Sequence, residues 1–129
     1  MDDQKKPQIL TGHARLDFEH FQILNALEKL TESYLTQSSR IALCEKLLHY
    51  ISDHCKDEEH LMVLYDYPES ESHIEQHSIL QQKFLENIGL FIKENGINAE
   101  TVRNLFYNHI TYTDMPFIEY MKQEDTKEE

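Results

Sequence analysis

The sequence predicts an all-α protein that folds as an up-down-up-down antiparallel four-helix bundle. The 129 residues are enough to bury one hydrophobic core. Only three glycines and three prolines interrupt the chain, whereas β-hairpins and sandwiches depend on many such turn residues. Apolar residues recur at helical spacing in four successive segments joined by short links, and short links favour antiparallel neighbours.

The first two helices are predicted from their apolar periodicity and their boundary residues. The first spans Leu16–Leu35, with Asp17 as its candidate N-cap. A polar link, TQSSR, separates it from the second helix. The second helix is expected to end near Asp66, because Pro68 disfavours helical dihedral angles in Tyr67.

The third and fourth helices also carry start and stop signals. Ser70 or Ser72 can cap the third helix, and the sequence KENG supplies its basic last turn and a glycine stop. The fourth begins after Asn98, and Pro116 is expected to limit it at about residue 113 or 114. An amphipathic segment, FIEYMK, follows as a short C-terminal helix or tail.

We therefore expect one domain over residues 1–129. It would comprise an N-terminal arm over about 1–10, the bundle over 16–114 and a flexible, solvated tail over 123–129. We expect it to be monomeric.

The net charge and the cysteines indicate which partners and which cellular compartment to expect. Twelve basic and 24 acidic residues give a net charge of −12, which repels nucleic acids and anionic lipid surfaces. The chain begins without an apolar signal core, and no apolar run approaches the roughly 20 residues that cross a bilayer. Cys44 and Cys55, roughly 16 Å apart on one helix, are beyond disulfide reach. A cytoplasmic protein with free thiols is expected.

Histidines and carboxylates occupy positions where these helices would place core residues. His54 and Glu58 are four residues apart, as are His73 and His77. Two side chains at this spacing share one helix face about 6 Å apart, so each pair can converge on a metal ion.

His109 and Asp114 are spaced differently. Five residues place them about 140° apart on an ideal helix, so they share a face only if the helix unwinds or bulges. Because Pro116 follows, we expect Asp114 to turn inward from a fraying last turn.

A single inward histidine such as His20 or His109 is more often a hydrogen-bonded core residue than a metal ligand. The complete set is harder to explain without a metal, because five unpaired imidazoles and two carboxylates would cost several kcal/mol to bury. Glu59 is either solvated or an acceptor for a ligand imidazole. The candidate metal ligands are His20, His54, Glu58, His73, His77, His109 and Asp114.

Three segments, GHARLDFEH, HCKDEEHLMVLYDYPESESHIEQH and HITYTD, occur in this order. Together they resemble the hemerythrin family, specifically its single-domain bacterial members, over roughly Gly12 to Asp114. The resemblance implies two iron ions bridged by an oxo or hydroxo group. One iron would be bound by His73, His77 and His109, the other by His20 and His54, and both by Glu58 and Asp114. It also implies a ligand pocket formed by Ile23, Cys55, Leu105 and Ile110.

The function implied by the resemblance is reversible binding of O2 or another small diatomic ligand, for carriage, storage or sensing, without catalysis. Two positions depart from the family, which usually has Phe at Cys55 and Trp at Leu105. Smaller residues there enlarge or wet the pocket, although Cys55 can also be ordinary packing. The alternatives are a di-iron enzyme with a short-lived peroxo state, such as a peroxidase, a ferroxidase or a nitric-oxide-handling protein, and a structural or metal-donor bundle.

Overall fold

The computed structural model describes residues 10–32, 35–93 and 99–127, without the side chains of 89–93 and 99. All regular structure in these ranges is helical, which confirms the predicted all-α class. The elements are α1 (Ala14–Lys29), α2 (Gln37–Tyr65), α3 (Ser70–Lys93), α4 (Ala99–His109), a π-helical turn (Ile110–Asp114) and α5 (Met115–Lys127).

The beginning of α1 differs from the prediction. Its N-cap is His13, whose side chain accepts a hydrogen bond from the Leu16 N–H. Asp17 lies inside the first turn and accepts hydrogen bonds from Thr11 Oγ1 at 2.7 Å and the Gly12 N–H at 3.1 Å. Asp17 thus ties the preceding segment to the helix.

The link between α1 and α2 lies earlier in the chain than expected, over residues 30–36. The first helix ends at Lys29, and Thr31 donates to the Glu28 carbonyl at 2.6 Å. The second helix already begins at Gln37, because Thr36 Oγ1 caps it by accepting from the Ser39 N–H at 3.1 Å. The sequence TQSSR is therefore mostly the first turn of α2 rather than a loop.

The boundaries between the second and third helices lie close to their predicted positions. The second helix ends at Tyr65, followed by Asp66 with φ 51°, a left-handed conformation that stops the helix. The third helix begins at Ser70, which was one of the two predicted caps, but Ser70 is already helical and its Oγ donates to the Tyr67 carbonyl at 2.7 Å instead of accepting from a helix N–H.

The prediction that Pro116 ends the fourth helix was wrong. The chain passes through the π-helical turn directly into α5, and Pro116 is the second residue of that helix. Proline is compatible with this position because the π-helical turn directly before it already breaks the regular α-helical hydrogen-bond pattern that a missing N–H would interrupt. Residues 123–127, expected in a flexible tail, are helical, and Tyr65 donates to Asp125 at 2.8 Å.

Some predictions fall outside the described residues. They are the N-terminal arm over residues 1–9, the KENG stop over residues 94–96, the fourth-helix start at Asn98 and the last two residues of the tail.

The helices pack as a bundle. Both α1 and α3 lie against α2 and α4. The larger apolar cluster is built around buried residues such as Leu27, Leu47 and Phe106. A smaller cluster joins Leu16 and Met62 to Phe117, Ile118 and Met121 of α5. None of the helices in the described ranges is both long enough and apolar enough to cross a bilayer.

Candidate metal centre

Five imidazoles and two carboxylates meet between the two apolar clusters. The ring of Phe106, from the larger cluster, lies 6.1 Å from the ring of His20. The ring of Phe117, from the smaller cluster, lies 5.7 Å from that of His73. All seven polar side chains are at most 7 % exposed; they are His20, His54, Glu58, His73, His77, His109 and Asp114.

Helices α1 to α4 and the π-helical turn all contribute to this group. The first helix supplies His20, and α4 supplies His109. The pairs predicted from their four-residue spacing come from α2 and α3: His54 with Glu58, and His73 with His77. The π-helical turn supplies Asp114.

The π-helical turn explains how Asp114 reaches the group. Hydrogen bonding in this turn runs from the Met115 N–H to the Ile110 carbonyl, five residues back. One extra residue per turn places His109 and Asp114, five apart, on one face, with His109 Nε2 3.0 Å from Asp114 Oδ1. The expectation of a fraying last turn was wrong, whereas the requirement for an irregular helix was met.

Asp114 divides its two oxygens between two sets of histidines. Its Oδ2 lies 3.0 Å from His20 Nε2 and 3.3 Å from His54 Nε2. Its Oδ1 lies 3.1 Å from His73 Nε2 and 3.0 Å from His109 Nε2.

Glu58 divides its oxygens in the same way. Its Oε1 lies 3.1 Å from His73 Nε2 and 2.9 Å from His77 Nε2. Its Oε2 lies 3.4 Å from His54 Nε2. Each carboxylate thus faces both sets of histidines.

Two overlapping groups of donors result, each with ligand atoms within 4.8 Å of one another. The two carboxylates belong to both groups. The first group is Glu58, His73, His77, His109 and Asp114, and the second is His20, His54, Glu58 and Asp114.

Two outer carboxylates orient rings of the centre. His54 Nδ1 lies 2.8 Å from Glu19 Oε1, and His77 Nδ1 lies 2.8 Å from Glu59 Oε2. A carboxylate only accepts when ionised, so Nδ1 carries the proton and Nε2 is left for a metal. Of the two alternatives for Glu59, the structure therefore shows the one in which it accepts a hydrogen bond from an imidazole of the centre. Sequence reasoning missed Glu19, because it lies next to His20 in the chain but contacts His54 on another helix.

The charges of the centre depend on one another. Burial by itself raises the pKa of Asp114, but contacts with the surrounding imidazoles hold that pKa well below its usual range. Burial lowers the pKa of His54, yet Glu58, Asp114 and Glu19 together raise it well above its usual value. The pKa of His73 rises to about 9, against the effect of burial, through Asp114 and Glu58. Without a metal, protons therefore balance the carboxylates.

The residues present fit a pair of transition-metal ions. Imidazole nitrogen with carboxylate oxygen is a donor set suited to first-row metals such as iron. Inside the centre, the buried atoms Glu58 Oε2 and His109 Nε2 face His54 at 3.4 Å and Asp114 at 3.0 Å, but neither contact has the geometry of a hydrogen bond. Buried polar atoms without partners are costly, and a cation bound among these donors would satisfy both.

The residues predicted to form a ligand pocket all belong to the larger apolar cluster or pack against it. Ile23, Cys55 and Ile110 are buried in the larger apolar cluster, and the partly buried Leu105 packs against it. Cys55 and Cys44 are free thiols, as predicted. Burial raises the pKa of Cys55 to about 12, so the thiol is neutral and unreactive near neutral pH.

Comparisons with protein-family models, with curated proteins and with solved structures gave no match. Functional inference therefore depends on the donor geometry. That geometry is a buried cluster of histidine, glutamate and aspartate side chains that could hold metal ions.

Proposed function

We propose that this chain is a hemerythrin-like, non-haem di-iron protein that binds O2 or another small diatomic ligand reversibly. The observation that carries the proposal is the division of oxygens in Glu58 and Asp114. Each carboxylate turns one oxygen to the set containing His73 and the other to the set containing His54. Two carboxylates that each face two sets of imidazoles are suited to bridging two metal ions.

The two metal positions have unequal numbers of donors. The first would have three imidazoles and the two shared carboxylates, whereas the second would have only the imidazoles of His20 and His54 with the same carboxylates. With one oxo or hydroxo bridge, the first ion would have six ligands and the second only five. The second position would therefore have room for a small ligand.

The charge of the donor set favours reversible binding. Five neutral imidazoles contribute no charge, and the two carboxylates and a hydroxide bridge contribute three negative charges to two ferrous ions. The site keeps a net charge of about +1, whereas a more anionic site would stabilise ferric iron. Two ferrous ions held there would supply the two electrons needed for reversible addition of O2.

Apolar side chains of the chain cover part of the centre. Ile23 and Ile110 are fully buried, and the ring of Phe106 lies near those of His20, His54 and His109. Apolar walls restrict the water that would displace a bound ligand.

A di-iron enzyme, such as a peroxidase, a ferroxidase or a nitric-oxide-handling protein, is the second candidate. An open cavity of about 240 Å³ between α3 and α4 favours it, because Leu105, Tyr112 and the proposed ligand His109 all line that cavity. At 7 %, His109 is also the most exposed of the seven side chains. Water or substrate arriving there would shorten the lifetime of an oxygen adduct.

Optical titration with O2 separates the two candidates. The protein is loaded with Fe(II) under anaerobic conditions, and its visible spectrum is recorded through repeated cycles of O2 and vacuum. The proposal predicts a visible band that appears with O2 and disappears under vacuum in every cycle. Irreversible oxidation in the first cycle, with turnover of peroxide, Fe(II) or nitric oxide, would favour the enzyme.

Other expectations belong to the same proposal. The packing of α1 and α3 against α2 and α4 supports an up-down-up-down order of helices. Two buried free thiols support a reducing, cytoplasmic location. A monomer and a single domain remain predictions, which sedimentation and limited proteolysis would test.

A further inference from the structure

The two outer carboxylates of the centre have different surroundings. The Glu59 side chain is 35 % exposed, and among the described residues no lysine or arginine pairs with it. The Glu19 side chain is only 13 % exposed and lies 3.4 Å from the guanidinium of Arg15. Of these two carboxylates, only Glu19, which contacts His54, therefore pairs with a cation in the described part of the chain.

Arg15 occupies an outer position in a chain of contacts that leads to the centre. Its Nη2 lies 2.9 Å from Asp57 Oδ2, and its Nε lies 3.4 Å from Glu19 Oε2. The other oxygen of Glu19, Oε1, accepts from His54 Nδ1 at 2.8 Å. His54 Nε2 then faces Asp114 Oδ2 at 3.3 Å. The contacts thus run from an exposed cation to a proposed metal ligand.

This order of contacts has an electronic consequence. A carboxylate that accepts the ring N–H of a ligand histidine makes the ring a stronger donor to its metal. A cation beside that carboxylate offsets part of its negative charge and weakens the effect. His77 receives the support of Glu59 without such an offset, whereas Arg15 offsets part of the negative charge that Glu19 and the neighbouring Asp57 place beside His54.

We infer that Arg15 is a positioning residue that acts through Glu19 to limit electron donation by His54. The inference rests on the proposed function and deepens it, because His54 belongs to the metal position that keeps an open site. Arg15 holds that position at a higher reduction potential, which keeps it ferrous and ready for a ligand.

Arg15 is also open to control from outside. Its side chain is 69 % exposed, and it lines, with Glu19 and Asp57, a surface cleft of about 370 Å³ between α1 and α2. Salt screens exposed charges, since the Debye length falls from about 10 Å at 0.1 M to about 3 Å at 1 M. The shift in potential that Arg15→Gln causes should therefore shrink as the salt concentration rises.

The test is a double-mutant cycle with Arg15→Gln, Glu19→Gln and the combined variant. Lys127→Gln is the matched control, because it also removes one exposed cation from a short pair, the 3.0 Å contact with Glu124. The reduction potential of the iron-loaded proteins is measured by mediated spectroelectrochemistry. In Co(II)-loaded proteins, the paramagnetically shifted ring N–H resonances report how strongly each Nδ1–H is hydrogen-bonded.

The inference predicts a more negative potential in Arg15→Gln and a more positive one in Glu19→Gln. In the Glu19→Gln background, the Arg15 substitution should have little further effect, and Lys127→Gln should leave the potential unchanged. One ring N–H resonance, that of His54, should move in Arg15→Gln.

The inference would be overturned if Arg15→Gln shifted the reduction potential equally in the wild-type and Glu19→Gln backgrounds. Arg15 would then act on the metal only through space. An unchanged His54 resonance in Arg15→Gln would also overturn it. Either result leaves the proposed function standing if the wild type still binds O2 reversibly. A wild-type chain that takes up neither iron nor cobalt would overturn both.

Discussion

Asp114 Oδ1 lies 3.0 Å from His109 Nε2, although the two residues are five positions apart in the chain. The π-helical turn between Ile110 and Asp114 brings them together. Such turns in helices are rare and frequently occur at functional sites. Here the irregular turn adds to the centre one of the two carboxylates that face both sets of histidines.

Asp114→Asn should therefore abolish the paired metal site. The amide preserves the size of the side chain but removes its charge and places an N–H₂ donor among four imidazoles. We expect fewer than two irons per chain by metal analysis. The metal-free protein should also lose about 1–3 kcal/mol of unfolding free energy, since buried polar groups lose their partners. Retention of both irons with an unchanged spectrum would contradict the bridging role of Asp114.

The variants His109→Ala and Glu58→Ala test a histidine ligand and the second shared carboxylate. Each variant removes a donor of the five-residue group, and each should lose the coupled iron pair while the far-ultraviolet circular dichroism stays helical. The matched control is His49→Ala, because His49 is exposed on α2 and does not belong to either donor group. Loss of iron in the control, or retention of both irons in the ligand variants, would reject the ligand assignment.

The stability of the metal-free protein should depend on pH through His73. Its pKa rises from 6.5 to about 9 in the folded protein, so folding favours the protonated ring. This contribution, on the order of 3 kcal/mol, is complete below pH 6.5 and is lost as the pH rises through 9. Chemical denaturation of the metal-free protein at several pH values measures it.

Metal affinity should change with pH in the opposite direction. A metal displaces the protons held by His73 and His54, so binding should tighten by about tenfold per pH unit for each proton released. Calorimetric titrations in buffers of different ionisation enthalpy count these protons. Binding without proton release, or a metal-free protein that becomes more stable between pH 6.5 and 9, would contradict the charge state described above.

Phe106 should matter for both the core and the centre. It is 1 % exposed, and its ring lies within 6.1–6.3 Å of three ligand rings. Phe106→Ala should cost about 3–5 kcal/mol of unfolding free energy and speed irreversible oxidation of the iron-loaded protein. Phe18→Ala is the control, because Phe18 is 59 % exposed and its loss should change stability by less than about 0.5 kcal/mol. Similar effects in the two variants would contradict the role of Phe106.

The sequence predicts the parts of the centre that depend on local spacing. His54 with Glu58, and His73 with His77, lie four residues apart, and an α-helix places such residues on one face wherever it packs. The apolar period identified the helices for the same reason. Asp66 as a helix end followed from Pro68, whose effect on the preceding residue is local.

The parts that depend on contacts between helices or on an irregular backbone were not predictable in the same way. The free-energy cost of a proline in a helix depends on which backbone hydrogen bond its missing N–H removes. The helix continues through Pro116 because a π-helical turn precedes it, whereas the sequence indicated a fraying last turn. Asp17 has the residue type of an N-cap, but Thr11 and Gly12 lie close enough to occupy its carboxylate. Glu19 reaches His54 across two helices, a contact that no spacing along the chain indicates.

The central claim is that the donors of this bundle hold two coupled iron ions. The most direct test is Mössbauer spectroscopy, with iron analysis, on protein reconstituted anaerobically with ⁵⁷Fe(II) and then oxidised. The account predicts two irons per folded chain in two distinguishable sites, with a diamagnetic, antiferromagnetically coupled ferric pair after oxidation. A folded chain that binds at most one iron, or two irons that remain magnetically independent, would contradict it.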